Sequence, residues 1–167
     1  MVRGPFKGAG FYNNEMISSI HSVIANRFGK AWLILSFFLL LHIIDEALNG
    51  FLPVYNENVL KIRASTGIPF PTFAFAYWFT GLICADVLLL FLSRYALQGK
   101  RVFVWLAYPF AIVMLANGLV HLAGSLYLQQ WIPGIITAPL LLYGSMNLLL
   151  ATLKMTTSKT ITVNPAL

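Results

Sequence analysis

The chain has 167 residues, of which 59% are hydrophobic and 10% are charged, and its mean hydropathy is +0.78. Soluble domains carry about a quarter charged residues, so this composition excludes a water-soluble globular domain and predicts one compact integral membrane protein. The formal net charge of +6 does not indicate a nucleic-acid partner, because the basic residues lie at the ends of apolar runs, where membrane topology places them.

Residues 1–30 precede the first apolar run, and we expect them to form a cytoplasmic segment with a helix in the membrane interface. Arg3 and Lys7 would suit the start of a signal peptide, but polar residues follow them and no apolar core does. The chain is therefore expected to stay anchored by its first span. The helix would place on one face Tyr12, Met16, Ile17, Ile20, Val23, Ile24 and Phe28, and on the other Asn13, Glu15, Ser18, Ser19, His21, Ser22 and Asn26.

Hydropathy predicts four membrane spans, each near the ~20 residues that cross about 30 Å of hydrocarbon. They cover residues 31–49, 72–93, 102–127 and 134–153, and they form the predicted domain 31–153. A short flexible cytoplasmic tail, residues 154–167, is expected to follow. The fold class is predicted to be all-α: a four-span transmembrane helical bundle with an N-terminal interfacial amphipathic helix.

The first span ends with three ionisable residues, His42, Asp45 and Glu46, in an otherwise apolar run. Each acid near a bilayer centre costs roughly 2.5–3.5 kcal/mol on insertion scales, so three ionisable groups together indicate a function. Both acids flank the imidazole, because Asp45 is three residues and Glu46 four residues after His42 on a helix. The structural alternative is that this cluster only pins two helices together.

The connection between the first two spans is about twenty residues long and strangely apolar for an external loop. Its apolar and proline residues are Phe51, Leu52, Pro53, Val54, Tyr55, Val59, Leu60, Ile62, Ile68, Pro69, Phe70 and Pro71. Residues 56–64 are predicted to form a short helix with Val59, Leu60 and Arg63 turned inward. We expect this segment to cover the ionisable cluster as a lid; the alternative is a membrane-hugging loop with no contact to it.

The second span carries Asp86, at a depth close to that of Tyr108 in the third span and Asn147 in the fourth. These three residues are predicted to form a structural hydrogen-bond cluster, whereas the functional alternative makes Asp86 the inner end of a proton path. Gly81 and Ala85, four residues apart, predict a close helix contact.

The third span carries Asn117, His121 and Ser125, which recur every four residues and so lie on one stripe of a helix. At 1.5 Å per residue, Asn117 and His121 lie roughly 22–29 Å above the cytoplasmic end of their span. Glu46 lies about 22 Å above the cytoplasmic end of its own span. Two helices should therefore present two imidazoles, two carboxylates and an amide at one height in the outer leaflet.

The distribution of basic residues predicts the orientation, because Lys and Arg favour the cytoplasmic side. The nine on one side are Arg3, Lys7, Arg27, Lys30, Arg94, Lys100, Arg101, Lys154 and Lys159, whereas Lys61 and Arg63 lie on the other. We therefore expect a multi-pass protein of the cell (inner) membrane with both termini in the cytoplasm.

Three segments, LHIIDE, the turn GFLP and the later ANGLVHLAGSLYLQQWIPGIITAPLLL, together resemble the bacterial HXXEE-domain membrane proteins. That family is named for a His-x-x-Glu-Glu motif in an early span, and it has a later Asn-x-x-x-His segment and a Tyr/Trp-x-Pro-Gly-x-x-Thr sequence near the last span. The resemblance covers about residues 31–153. The matching residues are His42 and Glu46, with Asp45 in place of the first glutamate, and Asn117, His121, Pro133, Gly134 and Thr137. The resemblance supports the site and implies no particular activity.

The function predicted first is a membrane enzyme that acts on an isoprenoid, sterol-like or acyl substrate from the lipid phase. Its catalytic residues would be His42, Asp45, Glu46, Asn117 and His121, which suit isomerisation, cyclisation or hydrolysis by acid–base chemistry. In a metal-assisted version, His42, Glu46 and His121 form a two-histidine, one-carboxylate set compatible with mononuclear zinc or non-haem iron.

The alternative class of function is a small carrier or sensor in which the same cluster binds a cation or a proton. Four spans leave little room for alternating access unless the protein forms a homo-oligomer, and the sequence shows no internal repeat of the kind many carriers have. A structural membrane subunit is the third hypothesis. The expected partners are membrane lipid and, for the enzyme, a lipid-like small molecule.

Overall fold

The computed structural model describes the backbone from Ala9 to Val163 and the side chains of Met16 and residues 19–157. Within these residues the chain is all-helical and contains no strand. The helices are α1 (Ala9–Leu48), α2 (Phe51–Thr66), α3 (Phe75–Leu97), α4 (Arg101–Leu128) and α5 (Ala138–Val163). The stretches long and apolar enough to cross a membrane are Ser19–Leu48, Phe75–Leu97, Arg101–Leu128 and Ala138–Thr157. The predicted all-α, four-span bundle is confirmed.

Helix α1 runs for 40 residues without a break, a length of about 60 Å at 1.5 Å per residue. The expected interfacial helix and the first span are thus one helix, with no boundary at residue 30. Gly29 does not interrupt this helix; it lets α3 approach, because a Cβ atom there would lie 2.4 Å from the Leu97 Cα atom. Phe28 is buried, whereas Ile20 and Val23 are exposed. Met16 is exposed as well, and Ile24 is half-buried. The predicted face residues Tyr12, Asn13, Glu15, Ile17 and Ser18 lie outside the described side chains.

The helices follow the spatial order α3, α1, α5, α4, because α1 packs against both α3 and α5, and α5 packs against α4. The backbones of α1 and α4 approach each other at few points, and the two helices meet chiefly through long side chains. The predicted close contact at Gly81 is wrong, since a Cβ atom added there would meet nothing within 4 Å. Gly29 makes the close approach between α1 and α3 instead.

Trp32 of α1 anchors the apolar core between the two ends of the bundle. Its side chain is 1% exposed, and its indole N–H donates a hydrogen bond to the Leu89 carbonyl oxygen at 3.0 Å. The Phe103 and Phe110 rings of α4 lie with their centroids 5.9 and 5.2 Å from it. Other buried members of this core are Phe28, Ala31, Leu35, Ala96, Val104, Ala107, Ala111, Leu141, Leu148 and Met155. The core joins all four long helices.

The bundle has two chemically different ends. The basic end is defined by Arg27, Lys30, Lys100, Arg101 and Lys154, and the histidine end by His42, Glu46 and His121. At the basic end, the α3–α4 turn lies against α1 and α5, because a Cβ atom at Gly99 would meet Ala25 and Met155 side chains at 2.9 and 3.2 Å.

Helix α2 replaces most of the expected lid loop and is longer than the predicted helix at residues 56–64. Glycines in the left-handed region bound it, Gly50 (φ 75) before it and Gly67 (φ 72) after it, a conformation that favours glycine. The connection to α3 is pinned to α2, because the Asn56 amide donates to the Phe73 carbonyl oxygen and accepts from the Phe73 N–H.

Of the three α2 residues that we expected to turn inward, only Val59 is buried; Leu60 is 55% exposed and Arg63 is half-buried. The Arg63 guanidinium reaches along the connection and donates to the Phe70 carbonyl oxygen. The expected inward position of Leu60 is therefore wrong.

The α4–α5 connection approaches the centre of the histidine end before α5 begins. Helix α4 ends at Leu128, and residues 133–137 form a turn in which Gly134 has φ 88 and its carbonyl oxygen accepts from the Ala138 N–H. The fourth span therefore starts at Ala138, four residues later than predicted. Helix α5 then continues to Val163, so residues 154–163 of the expected tail are helical.

Candidate functional site

Three buried side chains converge at the histidine end. His42 and Glu46 lie one turn apart on α1, and His121 reaches them from α4. The Glu46 Oε1 atom lies 3.5 Å from His42 Nε2 and 3.1 Å from His121 Nε2. The two imidazole rings meet edge to face with centroids 4.8 Å apart. All three residues are at most 5% exposed. Side chains of the first and third spans thus meet at one height, as the rise of the two helices predicted.

Thr137, on the α4–α5 connection, orients the imidazole of His42 through its Nδ1 atom. Its hydroxyl oxygen lies 2.8 Å from His42 Nδ1, and its single hydroxyl hydrogen is directed to Asp45 Oδ2 at 2.8 Å. Because that hydrogen is already donated, His42 Nδ1 must carry a proton and donate to the hydroxyl oxygen. Nε2, the other ring nitrogen, lies on the side of Glu46, where it has a lone pair in the neutral imidazole and a proton to donate in the charged form.

Asp45 accepts hydrogen bonds from Thr137. Among the described residues it forms no hydrogen bond with an imidazole. Its Oδ2 atom accepts from both the hydroxyl and the backbone N–H of Thr137, and its Oδ1 atom accepts from the Asn49 side chain at 2.6 Å. The carboxylate thereby accepts from three donors. Asp45 ties α1 to the α4–α5 connection, while Glu46 alone of the two acids faces the histidines.

Gly134 allows the backbone to cover both imidazoles. A Cβ atom at this position would lie 2.6 Å from His121 Cε1 and 2.9 Å from His42 Cε1, distances that real Cβ atoms do not adopt. The positive φ of 88° excludes most other residues independently. Gly134 and Thr137 belong to the sequence pattern that resembles the family, but that pattern did not indicate these roles. The available signal was a Pro-Gly-x-x-Thr sequence immediately before an apolar helix.

Aromatic side chains cover the site from the side of α2. The Phe51 ring lies with its centroid 5.7 Å from that of His121, and Trp78 and Tyr55 pack around Phe51 at 6.0 and 5.9 Å. The prediction that this segment contacts the cluster holds at Phe51. With Gly134 on another side, these rings leave little space for water around the imidazoles.

Two residues from the predicted third-span stripe stand outside the cluster. Asn117 lies one turn before His121, and its Oδ1 atom is buried without a hydrogen-bond partner among the described residues. It makes no hydrogen bond to His42 or Glu46. The Ser125 hydroxyl donates to the Gln130 carbonyl oxygen at the end of α4. Ser125 therefore closes the helix end rather than joining the site.

The predicted lower cluster of Asp86, Tyr108 and Asn147 does not form. Asp86 is fully buried, but neither carboxylate oxygen has a hydrogen-bond partner among the described residues. The Tyr108 hydroxyl lies 3.3 Å from the Thr156 hydroxyl, and Asn147 lines a cavity at the basic end. The physical reason is the order of the helices: α3 packs against α1, so residues of α4 and α5 do not lie opposite Asp86.

Replacing Gly134 with alanine should destabilise the protein far more than the same change at Gly50. Both glycines have positive φ, so each alanine incurs about 1–2 kcal/mol of backbone strain. Only Gly134→Ala also drives a methyl group into His121 and His42, because a Cβ atom at Gly50 meets nothing within 4 Å. We expect an added loss of about 1–3 kcal/mol from overpacking, measured as thermal unfolding in detergent. Equal losses in the two variants would contradict the close cover.

Comparison with known proteins gives a family and no activity. Residues 32–146 match the family model described as a protein of unknown function with HXXEE motif. No curated protein and no solved structure matches the chain. The matched range includes His42, Asp45 and Glu46 of the motif together with His121 and Thr137, which contact them in the structure. The chain belongs to the HXXEE family.

Proposed function

We propose that this protein is an integral membrane enzyme whose active site is a mononuclear metal centre formed by His42, Glu46 and His121. The observation that carries the proposal is the convergence of three potential ligand atoms, one from each residue, within 4.8 Å of one another in a buried site. With Nδ1 bonded to Thr137, a neutral His42 has its Nε2 lone pair on the side of a carboxylate oxygen. A bound cation would give both atoms a common partner.

The two distances from Glu46 to the imidazoles suit a small divalent ion. Tetrahedral zinc, with bonds of about 2.0–2.2 Å to nitrogen and oxygen, holds its ligand atoms roughly 3.3–3.6 Å apart. The Glu46 Oε1 atom lies 3.5 and 3.1 Å from the two Nε2 atoms. Two imidazoles and one carboxylate are typical of catalytic zinc and of non-haem iron, and they leave a coordination position for substrate or water.

The contacts around the ligands support a site that is preorganised for metal. Metal-bound histidines usually donate their other ring N–H to an oxygen, which orients the ring. His42 donates to the Thr137 hydroxyl oxygen, and Asp45 accepts hydrogen bonds from the hydroxyl and the N–H of Thr137. In this proposal Asp45 and Thr137 are positioning residues, and Asn117 has no direct role in catalysis.

A cavity next to the site, which Asp45 lines but none of the three ligand residues does, supports a substrate from the lipid phase. This cavity of about 240 Å³ lies beside Asp45 and Asn49, and its walls are the α4–α5 connection with Trp131, Ile132 and Ile136. Trp131 and Ile136 are more than 60% exposed on a helical bundle of membrane-spanning length. An amphiphilic molecule such as an isoprenoid, sterol-like or acyl compound could place its chain on this apolar wall. A divalent ion would then supply Lewis acidity for isomerisation, cyclisation or hydrolysis of its polar group.

Metal content of the full-length protein tests the proposal. After purification in mild detergent and exposure to zinc or ferrous iron, wild type should retain about one ion per chain through a chelator wash. Glu46→Gln and His121→Ala should retain almost none, because each removes one of only three protein ligands. Asp86→Asn is the matched control for Glu46→Gln: it neutralises another buried carboxyl outside the site and should keep the ion. A metal-free wild type would overturn the metal centre.

The hydroxyl of Thr137 should matter for metal affinity more than the volume of its side chain. Thr137→Val preserves the shape but removes the acceptor for the His42 Nδ1 proton, so metal affinity should fall about 10–100-fold, as for other residues that orient metal ligands. Thr137→Ser keeps the hydroxyl and should bind nearly as well as wild type. Competition with a chromophoric chelator measures both constants. Equal affinity in the two variants would show that Thr137 does not orient His42.

We also propose that the basic end faces the cytoplasm of a bacterial inner membrane, as the distribution of Lys and Arg favours. In a Cys84→Ser background, a membrane-impermeant thiol reagent added outside should label Glu57→Cys on exposed α2 and spare Gln98→Cys at the α3–α4 turn. The reverse labelling pattern would place the basic end outside.

A further inference from the structure

A second cavity, of about 430 Å³, lies at the basic end between α1 and α5, far from the histidine site. Arg27 and Lys30 of α1 line it from one side, and Lys154 and Asn147 of α5 line it from the other. The metal centre does not use any of these residues. Three cations and an amide around one cavity indicate a binding site of its own.

These three cations have no acidic partner among the described side chains. Among the described side chains, the basic members of the ion pairs are His42, His121 and Lys61, and none of them lines this cavity. The acids of the chain lie elsewhere: Asp45 and Glu46 are at the histidine end, Glu57 is on α2, and Asp86 is enclosed within the bundle. Glu15 precedes Arg27 by twelve residues, about 18 Å along α1. An anion from outside the chain would therefore neutralise the cavity.

The cavity is also amphiphilic, with its cations at one level and an apolar wall beyond them. Lys30 and Lys154 border the apolar stretches of their helices, next to Ala31 and Leu153. This is the level of the α3–α4 turn, where Gly99 lies against Ala25 and Met155. Ile34 and Leu150 line the part of the cavity that extends towards the bundle centre. A free anion would use only the cations, whereas a lipid would use both parts.

We propose that this cavity binds the phosphate group of an anionic membrane phospholipid. Arg27, Lys30 and Lys154 contact the phosphate oxygens, because basic groups between membrane helices at headgroup depth recognise such groups. The Asn147 amide can donate to an ester oxygen, and an acyl chain extends along Ile34 and Leu150. The volume is within the range of sites that hold small organic groups. The site would fasten α1 to α5 at the end opposite the metal centre.

Lipid-dependent thermal stability of the full-length protein in mild detergent tests this proposal. Phosphatidylglycerol should raise the unfolding temperature of wild type, and phosphatidylcholine or inorganic phosphate at equal concentration should not. The double variant Lys30→Gln/Lys154→Gln should need roughly 30-fold more phosphatidylglycerol for half of the effect, since each cation near an anionic lipid contributes about a factor of five. Native mass spectrometry should show fewer phosphatidylglycerol molecules retained on this variant.

The matched control is Lys100→Gln/Arg101→Gln, which removes the same charge from the same end without touching the cavity. This control should respond to phosphatidylglycerol like wild type. An equal loss in both double variants would overturn the site in favour of general attraction between a basic surface and anionic lipid. Equal stabilisation by inorganic phosphate would overturn lipid as the source of the phosphate group. Neither result depends on whether the histidine end binds a metal.

Discussion

Burial of the Glu46 carboxylate is the constraint on which the histidine end depends. An acid inside an apolar bundle costs roughly 2.5–3.5 kcal/mol on insertion scales unless polar groups surround it. Glu46 is 4% exposed, and both imidazoles converge on its Oε1 atom. His42 presents Nε2 to Glu46 because Thr137 holds its Nδ1, and Asp45 in turn holds Thr137. The α4–α5 connection thus supplies, through Thr137, the contact that orients one of the two imidazoles at the buried acid.

The apolar core around Trp32 separates this polar end from the basic end. Its aromatic and aliphatic side chains fill the space between α1, α3, α4 and α5, so the two proposed ligands would not share a cavity. The charges reinforce the separation: Arg27, Lys30 and Lys154 cluster at one end, and the acid that faces the histidines lies at the other. A metal site and a lipid site on one bundle would therefore act independently, coupled only through the stability of α1 and α5.

Properties that depend on one helix at a time could be predicted from the sequence. Hydropathy gave the four spans, and a fixed rise per residue gave the height at which His121 meets Glu46. Properties that depend on which helices are neighbours could not be predicted this way. Asp86 matches its expected partners, Tyr108 and Asn147, in predicted depth. It forms no hydrogen bond with them, because α3 packs chiefly against α1 and not against α4 or α5. The roles of Thr137 and Gly134 depend on the path of an irregular connection, which has no periodicity to analyse.

The spacing of the family motif follows from how a helix presents successive side chains. With about 100° between neighbours, the third residue after His42 lies about 60° to one side of it and the fourth about 40° to the other. Asp45 consequently faces the α4–α5 connection, and Glu46 faces His121 on α4. The two acids of the motif have different tasks for this reason. The first needs only a carboxylate that can reach the Thr137 N–H and hydroxyl, and the shorter aspartate does so at 3.1 and 2.8 Å. The second must reach two imidazoles on different helices, which requires the longer glutamate side chain.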